Sequence, residues 1–165
     1  MIRTANLRLI AIAAPAMLLA ACGGEAADAP TEAAPAGGVP AEIKERHDNF
    51  EAISDSFKVI RTQLEGDADM AAIEAAAIDI NERAQRISGL FPEGTSVEAG
   101  YDTEALATIW EKPEEFEAAT QKLIEESAKM VELAKAGDAA AVGEQVKALG
   151  GSCKNCHDSF RLDDD

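Results

Sequence analysis

The sequence has no strand pattern and few of the residues from which metal and redox sites are usually built. Its 165 residues include two histidines, three cysteines, one Trp and one Tyr. A structural zinc site needs four ligands. Beyond Cys153, Cys156 and His157 the chain offers only Cys22, which is expected to be used elsewhere, and the isolated His47. A thioredoxin-like cysteine pair belongs beside a βαβ pattern. After residue 40, however, apolar residues recur at three and four, never at two. Basic residues are also scarce, 15 against 31 acidic, for a net charge of −16. That balance argues against nucleic acid and against docking on anionic lipid. It permits a basic protein partner, and it serves solubility equally well.

Long apolar runs are confined to the N-terminus. Met1 to Leu9 carries Arg3 and Arg8 and no acid, Ile10 to Leu19 is apolar around Pro15, and Leu19-Ala20-Ala21-Cys22 closes the stretch with small residues. This pattern predicts a secretory signal peptide over 1–21, too short to span a membrane. Its ending resembles the lipobox of bacterial lipoproteins, in which the Cys receives a diacylglyceryl group and becomes the mature N-terminus. Lipidation of Cys22 would use the odd cysteine of an exported chain. Loss of Arg3 and Arg8 leaves 13 basic against 31 acidic residues, a net −18. Residues 22–40 are rich in Ala, Gly and Pro and predict a flexible linker. Fully stretched, Gly23 to Pro40 reaches at most about 60 Å. The expected location is the periplasm, anchored to the envelope membrane through lipid on Cys22, or soluble there if Cys22 is unmodified.

Cys153-Lys154-Asn155-Cys156-His157 organises the rest. Cys-x-x-Cys-His is the attachment signature of a c-type haem. On a helix its three functional positions are related by i, i+3 and i, i+4 steps, so they share one face. Each thiol can add to one haem vinyl group, and the imidazole becomes an axial iron ligand. One haem c per chain is expected, with its iron on His157.

Residues 41–165 predict four helices. The first runs from about Ala41 to Leu64 with a stripe of Phe50, Ile53, Phe57, Ile60 and Leu64. Stepping back four from Phe50 gives Arg46, costly on a buried stripe unless paired. The second runs from Ala68 to Ser88, stopped by Gly89. A long connection follows, with a short helical turn expected in 103–110. The third starts at Pro113, a favoured first-turn residue, and runs to Ala136 with Phe116, Leu123, Met130 and Ala134 inward. The fourth is capped by Asp138 and places Val142, Val146, Leu149, Cys153, Cys156 and Phe160 on its inner stripe. Gly143, Gly150 and Gly151 each cost roughly 1 kcal/mol against Ala inside a helix, so something should need the room; a porphyrin is the simplest candidate. The fold class expected is all-α, an antiparallel four-helix bundle with one covalent haem c.

From 41 to about 162 the chain resembles the cytochrome c′ family. Beyond the haem motif, the resemblance rests on Arg46, Phe50 and Ile53 in the first helix, Phe91-Pro92-Glu93-Gly94-Thr95 and Ile109-Trp110 in the long connection, and Phe160-Arg161 after the haem motif. It implies that Ile53 lies over the distal haem face, and that two copies can pair as a homodimer through the first two helices. The first helix contains no Met, and its stripe presents Ile53 and Phe57 toward the iron. This predicts a five-coordinate iron in an apolar pocket, open to NO or CO but offering bound dioxygen no hydrogen bond. The resemblance implies the same ligands, with electron transfer between redox partner proteins also proposed. The alternative is a six-coordinate, low-spin electron carrier tethered near membrane partners. A sensor whose haem state alters subunit pairing is a weaker option. Arg161, one turn after His157, would tune the imidazole or cover a proximal ligand, or stand as a solvated helix-end cation. Arg46 would pair with a haem propionate or snorkel at the rim. No general acid, base or second metal accompanies the haem motif, so an enzyme with turnover is not expected.

Overall fold

The computed structural model describes residues 40–163. The expected signal peptide, Cys22 and the linker up to residue 39 lie outside the described residues. Five α-helices follow in order: α1, Ala41–Gln63; α2, Met70–Ala84; the short α3, Thr108–Glu111; α4, Pro113–Ala136; and α5, Ala139–Phe160. Among the described residues there is no strand beyond a single bridge between Ala105 and Arg161.

The helix ends follow local chemistry. The Asp69 carboxylate accepts from the Ala71 and Ala72 amides at the start of α2, and Asp138 accepts from Ala141 at the start of α5. Pro113 opens α4, where its missing N–H costs nothing. Gly137 ends α4 at φ 69°, a left-handed turn that suits glycine. The second helix is shorter than expected: it stops at Ala84, and Ile87–Leu90 tightens into a 3₁₀ turn. Three residues per turn align Ile87 with Leu90, so both stay buried although the α-helix has ended. Gly89 therefore sits within this turn and is not the stop. The helical turn expected over 103–110 is found shorter and shifted, at Thr108–Glu111.

The four long helices form an antiparallel ring in the order α1, α2, α4, α5. Cross-helix hydrogen bonds fix the directions: Asn49 donates to the Arg83 carbonyl, Asn81 to the Ile124 carbonyl and Gln145 to the Glu126 carbonyl. The helices pack α1 on α2, α2 on α4 and α4 on α5. The expected inner residues of α2 and α4, including Ile73, Ala77, Ile80, Leu123 and Met130, are buried. α1 and α5 are not among the closely packed pairs. They are bridged by Phe57, whose ring would lie 3.2 Å from a Cβ added at Gly150. Gly150 thus makes room for a side chain of this protein and not directly for a porphyrin. At Gly143 and Gly151 an added Cβ would meet nothing within 4 Å.

The long connection is stitched to the end of α5. Val97 donates to the Ala105 carbonyl, Leu106 to the Phe160 carbonyl and Leu162 to the Glu104 carbonyl. These bonds hold residues 91–106 over one end of the bundle.

Candidate functional site

Because α1 and α5 stand apart, the bundle opens at the end where α1 begins and α5 finishes. The opening is a cavity of about 910 Å³. Cys156 and His157 line one side, α1 another, and the stitched loop a third. Rings form much of its inner wall: Phe50 meets Phe91 at 6.3 Å, Phe91 meets Phe116 at 5.0 Å and Phe116 meets Phe160 at 5.3 Å, all edge-on. A second cavity of about 20 Å³ lies deeper, between Phe50, Thr120, Leu123 and the cysteines.

α5 brings Cys153, Cys156 and His157 to one face, as their spacing predicts. The two cysteines are half-buried and His157 is exposed at the cavity mouth. Burial pushes both thiols up, Cys156 to about 11, where the neighbouring Cys153 adds to the effect. At neutral pH both are protonated and poor nucleophiles, so unaided addition to a vinyl group is slow. Although the residue as a whole is exposed, loss of water where the imidazole meets the cavity wall, with Arg161 nearby, holds His157 below the usual histidine range, which favours the neutral form a metal requires.

Arg46 is 4% exposed and does not snorkel. Its guanidinium donates to Thr95 Oγ1 at 3.0 Å, to the Thr95 carbonyl at 2.8 Å and to Thr103 Oγ1 at 2.6 Å, and lies 4.9 Å from the centre of the Phe91 ring. Thr95 is itself held by the Pro92 carbonyl at 2.8 Å. Among the described residues no carboxylate forms an ion pair with Arg46, although it lines the cavity. A buried cation with neutral partners alone is costly, and an anionic group within the cavity would offset that cost. Arg161 also lines the cavity, with Nε 2.6 Å from Glu104 Oε2. It is therefore an ion-paired side chain at the C-cap of α5.

The structure rearranges the expected distal wall. Phe50 lines both cavities, whereas Ile53 and Phe57 line neither. Ile53 is 5% exposed in the core cluster, and Phe57 lies on Gly150. The cavity face of α1 runs through Ile43, His47, Phe50 and Ser54, one position round from the stripe read in the sequence. His47, set aside as isolated, shares the cavity with His157. Thr103 and Glu104 went unnoticed because nothing local distinguishes them in a loop. Thr120 left a signal: it lies four after Phe116 and three before Leu123, a polar residue on the inner stripe of α4.

The donors fit a haem. Two thiols and an imidazole share a face, aromatic walls suit a flat macrocycle, and Arg46 supplies a buried charge for an anionic edge. Among the described residues, no cluster of three or more His, Cys, Asp or Glu is placed to hold a bare metal ion. An antiparallel bundle opened at one end over such a helix defines a c-type haem protein of the four-helix class. Residues 41–161 match the family described as cytochrome C′, and the chain belongs to that family, whose cofactor is haem c. It is 36% identical over 119 residues to cytochrome c′ of Pararhodospirillum photometricum, covering 72% of this chain and 89% of the relative. It is 34% identical over 159 residues to cytochrome c′ of Rhodospirillum rubrum, covering 94% and 99%. The solved cytochrome c′ of Rhodopseudomonas palustris superposes with a TM-score of 0.67 at 28% identity, covering 75% of this chain and 98% of that one.

Proposed function

We propose that this haem c protein of the cell envelope binds NO and CO at a five-coordinate, high-spin iron. The observation that carries this is the deep cavity wall. Besides the attachment residues Cys153, Cys156 and His157, it is made of Phe50, Ile87, Ala119, Thr120, Leu123 and Ser152, none of which ligates iron. Haem iron held on His157 supplies a reducible centre with affinity for small diatomic molecules. Cys153 and Cys156 fix the group to α5. Phe50 takes the place expected for Ile53 and limits what reaches the inner face. Arg46, pre-positioned by Thr95 and Thr103, holds a propionate, and the Arg161–Glu104 pair borders the His157 side. The optical spectrum of the reduced protein, without and with CO, tests the reading. A high-spin spectrum that changes on adding CO supports it. A low-spin spectrum with a sulfur–iron band, unaltered by CO, overturns it.

One observation favours electron transfer as a second activity. His157 is exposed at the cavity mouth, and the chain's net charge of −16 suits a basic redox partner. Neither role involves enzymatic turnover.

The location proposed is the periplasm, on a lipid anchor at Cys22. The Leu19-Ala20-Ala21-Cys22 ending supports this; among the described residues no helix is long and apolar enough to cross a membrane. A diacylglyceryl group buries two chains, enough for stable attachment. Intact mass would show diacylglyceryl on Cys22; an unmodified, soluble product cut nearby would reject the anchor. Pairing of two copies through α1 and α2 is proposed from the family resemblance, and sedimentation would decide it.

A further inference from the structure

Thr120 is 3% exposed, and its hydroxyl is buried without a hydrogen-bond partner. That is unusual for a helical Thr, which normally spends its hydroxyl on the carbonyl three or four residues back. Orphaned buried hydroxyls are rare because each forfeits its bonds to water. Ser127, seven residues further along the same face of α4 and also buried, shows the ordinary arrangement by donating to the Leu123 carbonyl at 2.7 Å. The difference is the surroundings: Thr120 lies on the wall of the deep cavity, beside Phe50 and facing the haem-attachment helix.

That cavity measures about 20 Å³. A water needs roughly 10–15 Å³ and about 2–4 polar partners. The size suffices, but the partners do not. The walls from α1, the 3₁₀ turn and α4 are Phe50, Ile87, Ala119 and Leu123; of the α5 lining, the Ser152 hydroxyl is donated to the Leu149 carbonyl at 2.7 Å, and Cys153, Cys156 and His157 are the residues that haem attachment and ligation would occupy. A diatomic molecule held at one end by iron needs only one further partner.

We propose that Thr120 is a specificity-determining residue of this pocket: its hydroxyl donates a hydrogen bond to the outer atom of a diatomic ligand bound on the Phe50 side of the haem. The proposal rests on the gas-binding reading above and alters one part of it. The pocket is apolar except for a single donor, and it favours ligands whose outer atom gains negative charge over ligands whose outer atom does not.

The test uses the holoprotein and its Thr120→Val and Thr120→Ser variants, with CO as the probe. A donor on the outer oxygen draws electron density into the ligand and lowers the C–O stretching frequency. The stretch should rise in Thr120→Val, which keeps the shape, and stay near the unmodified value in Thr120→Ser, which keeps the donor. Without ligand, Thr120→Val should raise Tm, because an orphaned hydroxyl is removed. An unshifted stretch, or a lower Tm in Thr120→Val, overturns the inference while leaving gas binding intact. Failure of all three proteins to bind CO overturns the gas-binding reading and this inference with it.

Discussion

At the end where α1 finishes and α5 starts, Ile60, Ile73, Met130 and Val142 are fully enclosed. At the other end the same four helices leave a cavity of about 910 Å³, with Phe50 and the two cysteines only half-buried. The repeat of three and four continues through both ends, so periodicity does not create the difference. Side-chain size and charge do. The closed end encloses aliphatic groups away from solvent. The open end has aromatic rings, a buried guanidinium and a Phe57–Gly150 contact that bridges α1 and α5 without bringing them together. The protein's own atoms complete the core at one end, and the proposed haem would complete it at the other.

Replacing both Cys153 and Cys156 with Ser should break that comparison most severely. Acid–acetone should then extract the haem completely. Amide exchange should rise in 41–54 and 150–160 while 60–80 and 124–145 stay protected. Equal loss of protection at both ends would show that the ends are not separable.

Ile60→Ala should cost roughly 2–5 kcal/mol in denaturant unfolding and leave the CO association rate alone. Phe50→Ala should do the reverse, raising that rate by about tenfold, the factor that ~1.4 kcal/mol from a barrier gives. Ile53→Ala sharpens the contrast. It should behave like Ile60→Ala, with a stability loss and unchanged ligand kinetics. A faster rate in Ile53→Ala alone would restore Ile53 as the lid.

Arg46→Leu removes three hydrogen bonds from a charged donor and should cost about 2–3 kcal/mol, read from the urea midpoint. The loop over the open end should loosen first.

The smallest effect expected is a pH dependence from Glu126, which joins α4 to α5. Hydrogen bonds from Lys122 and Gln145 hold its carboxylate below the ordinary value of 4.5. Its contribution is complete above 4.5 and is lost as pH falls through the lower folded-state value. Because Lys122 is exposed, the contribution should be under about 1 kcal/mol. Glu126→Gln should flatten the acid limb of the stability curve slightly; a steeper limb would contradict this assignment.

By itself the sequence determined the four long helices, their antiparallel order and the haem helix. Those features are local: a 3–4 repeat, caps at Asp138 and Gly137, and a five-residue attachment motif carry them within a few turns of chain. The end of α2 was misread because Ile87 continues the stripe into a tighter turn. Which α1 residue faces the haem was decided only by tertiary structure. Phe50 and Ile53 stand about 60° apart around a helix with 3.6 residues per turn. Either fits an apolar stripe, and only packing on α2 rotates Phe50 into the cavity and Ile53 into the core. Arg46 finds its partners in loop residues Thr95 and Thr103, 49 and 57 positions away, and Arg161 pairs with the loop residue Glu104, 57 positions away. The orphaned hydroxyl of Thr120 exists only because α4, α5 and Phe50 enclose it. Spacing along a chain sets which face a residue is on, but rotation and enclosure depend on neighbours that the local pattern does not contain.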